Sequence, residues 1–188
     1  MANSYCKAVK NLDKTDVNRL YHDFVYGFPL TDDNELFGRL ILEINQAGLS
    51  WTTILKKQEN FRRAYAGFDI QKVANFTEND RSSLLNDTGI IRNRLKINAT
   101  IHNANVILEL QKKFGSFKNW LDNNHPLDPE EWVKLFKKHF KFTGGEITKE
   151  FLLSTGYLEG AHERECPVYK KILQKSPAWA TLLKKENE

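Results

Sequence analysis

The chain has 188 residues, of which 40% are hydrophobic and 28% charged, and its net charge is +4. This length fits one domain, which we expect to span residues 1–188, and the mild basic excess is compatible with an anionic partner. The sequence contains neither an apolar run near the ~20 residues of a membrane span nor a secretory signal, so we expect a cytoplasmic, membrane-free monomer.

Apolar residues recur at helical spacing through the chain, whereas strand-like alternation is rare. The fold class that we expect is therefore all-α, with short connections. The predicted helices span residues 13–25, 32–47, 50–66, 77–87, 91–114, 129–139, 146–156 and 165–175, and a short helix is expected after Ser176-Pro177.

The first chemical motif is YHDFVYG, residues 21–27, which carries Tyr21, His22, Asp23 and Tyr26 within two helical turns. Aromatic rings with polar tips suit a pocket that stacks and hydrogen-bonds a flat ligand. The alternative is that the rings are core residues and that the histidine lies on the surface.

The helix at 32–47 carries a carboxylate, Glu43, at the edge of its apolar face. Asp32 and Glu35 are spaced as in a capping box. Arg39 and Asn45 are expected to point away from the apolar face. Burying a carboxylate costs several kcal/mol unless something bonds to it. Glu43 is therefore either a structural partner of another helix or a ligand-recognition group in an apolar pocket.

A Gly-Leu-Ser-Trp turn follows this helix. Gly48 lets the chain turn, and Ser50 is a plausible cap for the next helix. Leu49 and Trp51 would then project from the turn. The alternative is a helix–helix corner that buries both.

The segment TGIIRNRLKI, residues 88–97, resembles a hairpin between two helices. Such a hairpin offers backbone N–H groups to a phosphate at the N-terminus of the second helix. Gly89 fits the turn, whereas Ile91 stands where a second glycine is usual, so an ordinary corner stays an alternative. Three basic residues add positive charge there: Arg92, Arg94 and Lys96.

The two cysteines, Cys6 and Cys166, lie near opposite ends of the chain, and a disulfide is disfavoured in a reducing compartment. His162 and Cys166 have the i, i+4 spacing that places two ligands on one helical face. With Cys6 and His22 they would form a Cys₂His₂ set. All four positions are then filled by protein, as in a structural zinc site. The alternative is a helical histidine beside a buried cysteine.

Taken in order, these motifs resemble those of the 3-methyladenine DNA glycosylase I family, a branch of the helix-hairpin-helix DNA glycosylase superfamily. The matching residues are Tyr21-His22-Asp23 with Gly27, Leu42 to Trp51, Gly89 to Arg92 with Lys96-Ile97, residues 140–144, and His162 with Cys166. The resemblance implies an all-α helix-hairpin-helix glycosylase bundle in which a zinc ion ties the N- and C-terminal regions together. It also implies hydrolysis of the N-glycosidic bond of 3-methyladenine in double-stranded DNA.

The resemblance also implies roles for particular residues. Substrate binding would fall to Tyr21, Glu43 and Trp51, with Tyr26 as a further aromatic wall. Glu43 is the candidate catalytic residue, acting through recognition of the base, and no general base is expected. DNA binding would fall to Leu49, as the wedge that fills the vacated step, and to the hairpin residues Gly89, Ile91, Arg92 and Arg94. The structural zinc would be held by Cys6, His22, His162 and Cys166.

Two segments depart from the family pattern. Val25-Tyr26 stands where Glu-Trp is usual, and Gly145-Glu146-Ile147-Thr148 replaces a Pro-Thr segment, which brings Glu146 near the expected site. The departures leave open a glycosylase for another alkylated purine, and a non-catalytic, zinc-stabilised DNA-binding module remains a further alternative. No lysine stands out as a Schiff-base nucleophile, so we expect a monofunctional enzyme without strand cleavage.

Overall fold

The computed structural model describes residues 4–181, and throughout this range the regular secondary structure is helical. The α-helices are α1 Tyr5–Val9, α2 Val17–Phe24, α3 Asp33–Gln46, α4 Trp51–Ala64, α5 Ile70–Ala74, α6 Glu78–Asn86, α7 Arg94–Phe114, α8 Phe117–Asn124, α9 Pro129–His139, α10 Gly145–Ser154 and α11 Pro167–Leu173. The all-α expectation is confirmed. Between residues 4 and 181, no helix combines the length and the apolar character that crossing a membrane requires.

Side-chain caps set most of the helix boundaries. Asp32 accepts the Glu35 N–H at 2.9 Å, but the Glu35 carboxylate binds Arg62 instead of completing the expected capping box. Asn93 accepts the N–H groups of Leu95 and Lys96, so α7 begins at Arg94 and not at residue 91. A cap that binds these N–H groups must itself lie outside the helix.

The predicted helices omit three short α-helices and one 3₁₀ turn. These are α1, α5, α8 and Ala66–Phe68. Helices α1 and α5 have five residues each, too few to be stable alone, so packing decides whether they form. The short helix predicted after Pro177 is helical at residues 180 and 181, and its remainder lies outside the described residues.

The chain divides into two compact units. Unit 1 comprises Met1–Leu30 and Glu150–Glu188, and unit 2 comprises Thr31–Lys149. The assignment of residues 1–188 to one domain therefore stays a prediction.

Unit 2 is arranged around α3, whose residues from Leu36 to Asn45 are all buried. The expectation that Arg39 and Asn45 point away from the core is wrong, since their exposed fractions are 7% and 0%. Helices α4, α5, α7 and α8 all pack against α3, so no face of it remains for solvent. The Asp33 carboxylate at its start accepts the N–H groups of Phe117 and Lys118 and thereby caps α8.

Unit 1 has a smaller apolar cluster that joins α11 to the C-terminal segment. Its buried members are Val168, Tyr169, Ile172, Trp179 and Ala180. Phe28 and Cys166 pack against this cluster. The N-terminal segment is tied in at Gly27, which has φ +84° and donates its N–H to the Ser154 carbonyl at 3.1 Å. A Cβ at Gly27 would lie 2.8 Å from the Ala161 Cβ, so both the backbone and the space require glycine.

Candidate functional site

Four side chains from both ends of the chain meet in unit 1. The ligand atoms of Cys6, His22, His162 and Cys166 all lie within 4.8 Å of one another. The His162 Nδ1 is 3.6 Å from the Cys6 Sγ and 3.8 Å from the Cys166 Sγ, and the His22 Nε2 is 3.8 Å from the Cys166 Sγ. The structure thus brings together the four residues that were predicted from the sequence as possible metal ligands.

The geometry of this cluster fits a tetrahedral zinc ion. Zn–S bonds of ~2.3 Å and Zn–N bonds of ~2.0 Å place sulfur and nitrogen ligands roughly 3.5 Å apart. The second nitrogen of each histidine is also held, because His22 Nδ1 lies 2.7 Å from Asp23 and His162 Nε2 lies 2.8 Å from the Tyr26 carbonyl. Such contacts orient metal-binding imidazoles. The residues therefore fit a closed metal site.

Burial biases the protonation of this cluster. Burial lowers the pKa of His162 to about 4, which keeps its imidazole neutral and able to bind a metal. Burial also raises the pKa of the Cys6 thiol to about 11, although the Glu163 N–H points at its sulfur. The protein groups alone favour the thiol, so a bound cation would be needed to stabilise the thiolate.

Unit 1 also contains a group of tyrosine rings, one of which hydrogen-bonds a carboxylate. Tyr21 and Tyr26 are both buried, with ring centroids 5.6 Å apart, and Tyr5 packs edge-on against Tyr26. The Tyr26 hydroxyl donates to Glu150 at 3.0 Å. Glu146, the carboxylate expected near the aromatic site, is exposed on the first turn of α10. Glu150, one turn later, was not predicted, and its i, i+4 spacing from Glu146 places the two on one helical face without indicating which of them meets the ring.

In unit 2 the predicted turn lies between α3 and α4. Glu43 is in the last turn but one of α3 and is only 4% exposed. Gly48 has φ +83°, which only glycine adopts without strain, and Leu49 after it is 38% exposed. Ser50 caps α4 by accepting the Thr53 N–H at 3.2 Å, and Trp51 is the partly buried first residue of that helix.

The hairpin before α7 is held from two directions. Its Gly89 N–H, predicted to face a phosphate, donates to the Asp87 carboxylate at 2.7 Å. The Lys57 ammonium donates to the carbonyls of Thr88 and Gly89 at 3.0 and 3.1 Å. Among residues 4–181, no protein group accepts the N–H of Ile91 or that of Arg92.

The basic residues of the hairpin do not all face solvent. Arg92 is exposed, and Arg94 is exposed but lies 3.7 Å from the carboxylate of Glu78. The expectation that Lys96 adds charge at the phosphate site is wrong, because its side chain is 5% exposed. Its ammonium donates to the carbonyls of Asn45 and Ala47 at 2.9 and 2.8 Å. The sequence gives no sign of this contact, whose partners are about 50 residues away.

The described residues form an all-helical fold, and this fold matches that of 3-methyladenine DNA glycosylase I. The profile of the methyladenine glycosylase family matches residues 11–133. The chain belongs to this methyladenine glycosylase family.

Relatives and solved structures agree with this membership. The chain is 37% identical over 168 residues to DNA-3-methyladenine glycosylase 1 of Escherichia coli, covering 79% of this chain and 89% of the relative. It is 34% identical over 166 residues to the DNA-3-methyladenine glycosylase of Haemophilus influenzae, covering 78% and 89%. The chain is also similar to a solved structure of 3-methyladenine DNA glycosylase I from Staphylococcus aureus, which concerns the recognition of 3-methyladenine by that protein. The TM-score is 0.74 at 33% sequence identity, and the match covers 83% of this chain and 93% of that one.

Proposed function

We propose that this protein is a base-excision repair glycosylase that releases 3-methyladenine from alkylated double-stranded DNA. Within the family, the observation that carries the proposal is the buried carboxylate of Glu43 just before an exposed turn with Leu49 and Trp51. A buried carboxylate a few residues ahead of a partly buried indole suits a flat, cationic base. A module that only binds DNA needs no such group.

The chemistry follows from the charge of the lesion. Methylation at N3 makes the base cationic while it is attached to the sugar. When the C1′–N9 bond breaks, its electron pair passes to N9, and the purine leaves uncharged. Water adds its oxygen to C1′ and loses a proton to solvent, which leaves an abasic site. A leaving group of this quality needs little acid catalysis, so Glu43 acts by recognition and electrostatics.

Extraction of the base from the duplex costs a few kcal/mol, and contacts to the base recover part of this cost. Trp51 stacks on the base, Glu43 bonds to its edge, and Leu49 fills the vacated step. Tyr21 and Tyr26 are the further base-binding residues that the family resemblance implies. The amides of Ile91 and Arg92, the turn at Gly89 and the charges of Arg92 and Arg94 bind phosphates.

A structural zinc ion is the metal that we expect in the cluster formed by Cys6, His22, His162 and Cys166. Support comes from the donor set, the ligand spacing and the two oriented histidines. Bound zinc would join the two ends of the chain and leave no coordination position for water. The cytoplasmic location and the monomeric state remain expectations.

A glycosylase for another alkylated purine is the second candidate function. The hydrogen bond of Tyr26 to Glu150 favours it, because this pair adds a hydroxyl and a carboxylate beside a proposed base-binding ring. A purine with a different edge pattern would then be accepted alongside 3-methyladenine or in its place.

The test is chromatography of the bases released from duplex DNA treated with a methylating agent. We expect free 3-methyladenine and no strand cleavage. Glu43→Gln should slow the release, whereas the matched Glu109→Gln control, at an exposed position on α7, should not. Release of a different purine would favour the second candidate. Release of no base at all would refute the glycosylase proposal.

A further inference from the structure

Lys96 is a buried cation that the proposed reaction does not use. It is the third residue of α7, and its ammonium lies against the C-terminus of α3, where it donates to the carbonyls of Asn45 and Ala47. The negative end of a helix dipole favours a cation, and two short hydrogen bonds offset the cost of burial. Burial lowers the pKa of Lys96 from its ordinary value.

The carbonyls that Lys96 binds belong to the start of the turn that carries Leu49. Ala47 leaves the helix with ψ 115°, and Gly48 then reverses the chain. Within the turn, the Leu49 N–H donates to the Gln46 carbonyl at 2.7 Å, and the Gln46 side-chain amide donates back to the Leu49 carbonyl at 2.9 Å. These bonds shape the turn but do not fix it to another helix, whereas the bonds from Lys96 do.

The backbone of Lys96 is fixed to the other DNA-facing segment. Its N–H donates to the Asn93 side chain, which closes the hairpin and caps α7. The residue therefore binds the end of the hairpin through its main chain and the start of the Leu49 turn through its side chain. The Phe142 ring lies under the ammonium, with its centroid 5.8 Å from Nζ, and adds a further contact.

We propose that Lys96 is a positioning residue that holds the turn carrying Leu49 and Trp51 in register with the hairpin at Gly89–Arg92. This inference rests on the proposed function of those two segments. A wedge and a stacking ring must reach one particular base step while the hairpin grips the phosphates. A displacement of about 1 Å in such a constellation can lower a rate ~100-fold.

Lys96→Met tests this role, because methionine keeps an unbranched stem but has neither the charge nor the donors. We expect single-turnover release of 3-methyladenine to fall roughly 10- to 100-fold, with affinity for undamaged duplex retained within about 3-fold. The matched control is Lys112→Met, on the same helix but 72% exposed, which should leave both quantities unchanged. Wild-type release by folded Lys96→Met would overturn the proposal.

A purely structural role predicts different results. In a double-mutant cycle with Leu49→Ala, a positioning role requires the two losses to be non-additive, whereas a stability effect alone makes them additive. Should Lys96→Met fail to fold, Lys96→Arg keeps the charge, but its larger, planar guanidinium donates in a different geometry from the ammonium and should displace the two carbonyls. We then expect a folded protein with release about 10-fold slower, and wild-type release would overturn the proposal.

Hydrogen exchange separates this inference from the glycosylase proposal. In Lys96→Met, the amides of residues 47–51 should exchange faster, while those of α9 keep their protection. If the wild-type protein releases no base, the proposed function fails, yet this measurement still tests whether Lys96 holds the turn. Unchanged exchange at residues 47–51 would refute the positioning role.

Discussion

Of the largest fully buried side chains, all but Phe151 belong to unit 2, where Phe61 on α4 and Phe117 on α8 lie on helices that pack against α3. Unit 1 buries fewer large side chains and instead gathers four metal-binding groups from the two ends of the chain. Unit 2 thus relies on burial of apolar area, whereas in unit 1 a metal ion held by these four groups would add a cross-link. Small units with limited cores commonly depend on such a cross-link.

Removal of the metal is expected to have the largest effect of the changes considered. It should reduce hydrogen-exchange protection in unit 1 but not in unit 2. Zinc binding contributes about 10–16 kcal/mol in zinc-finger peptides, more than any single apolar contact. Cys6→Ser or a strong chelator should therefore expose unit 1 to hydrogen exchange, while the α3 amides in unit 2 stay protected. Metal analysis should find one zinc per chain. The prediction would be contradicted if the purified protein contained no zinc, or if both units lost hydrogen-exchange protection to the same extent.

Substitution of Glu43 tests whether the chemistry depends on unit 2. A hydrogen bond to a charged group contributes about 1.5–3 kcal/mol, so Glu43→Gln should slow 3-methyladenine release roughly 10- to 100-fold. Zinc content and duplex affinity should not change, since the phosphate contacts lie elsewhere. If the variant unfolds, or if it releases the base at the wild-type rate, Glu43 is a structural partner of its neighbours.

The hairpin provides a test of DNA binding within the same unit. A Cβ at Gly89 would lie 2.8 Å from the Asp87 Oδ1 and 3.2 Å from the Asn60 Cγ, so Gly89→Val must displace the Asp87 carboxylate that accepts the Gly89 N–H. We expect affinity for damaged and undamaged duplex to fall alike, by ~10-fold or about 1.4 kcal/mol. Titrations at several salt concentrations measure the change and its electrostatic share. If Gly89→Val and the wild-type protein bind duplex DNA with the same affinity, the hairpin has only a structural role.

The smallest expected effect on DNA binding or base release concerns the aromatic residues of unit 1. Tyr26→Phe removes the hydroxyl that binds Glu150 and should cost about 1–3 kcal/mol of stability. If Tyr26 contacts the base, release of 3-methyladenine should also fall ~3-fold, and its ratio to other released purines should change. Competition assays on mixed lesions measure that ratio. A stability loss with unchanged rates for every lesion would restrict unit 1 to a structural role.

The sequence predicted the long helices well because local signals determine them. Residues 129–139 form a helix as predicted, since Asp128 with Glu131 makes a capping box and Pro129 occupies the first turn. Helices α1 and α5 were missed because their stability depends on tertiary contacts. The four residues of the possible metal site were proposed from the i, i+4 spacing of His162 and Cys166 and from the family resemblance, and the structure brings the four together.

The direction of long polar side chains could not be predicted. Lys96 is near two arginines in sequence, and only the fold shows that it binds the end of α3. Glu146 and Glu150 lie on the same helix, and the sequence does not say which of them meets an aromatic ring. Periodicity assigns a residue to a face, but the burial of that face depends on helices far away in sequence.

The order of the chain has a consequence for synthesis on the ribosome. Unit 2 is one continuous segment, Thr31–Lys149, whereas unit 1 needs residues from both ends. The segment with Cys6 and His22 lacks the other two residues of the possible metal site until His162 and Cys166 have been made. Domains generally fold during synthesis, which proceeds at about 5–20 residues per second. Unit 2 can therefore fold before the C-terminal residues of unit 1 have been made. We therefore expect unit 1 to fold only after translation has passed Cys166, and we expect chains that stop earlier to be more susceptible to proteolysis in their N-terminal segment.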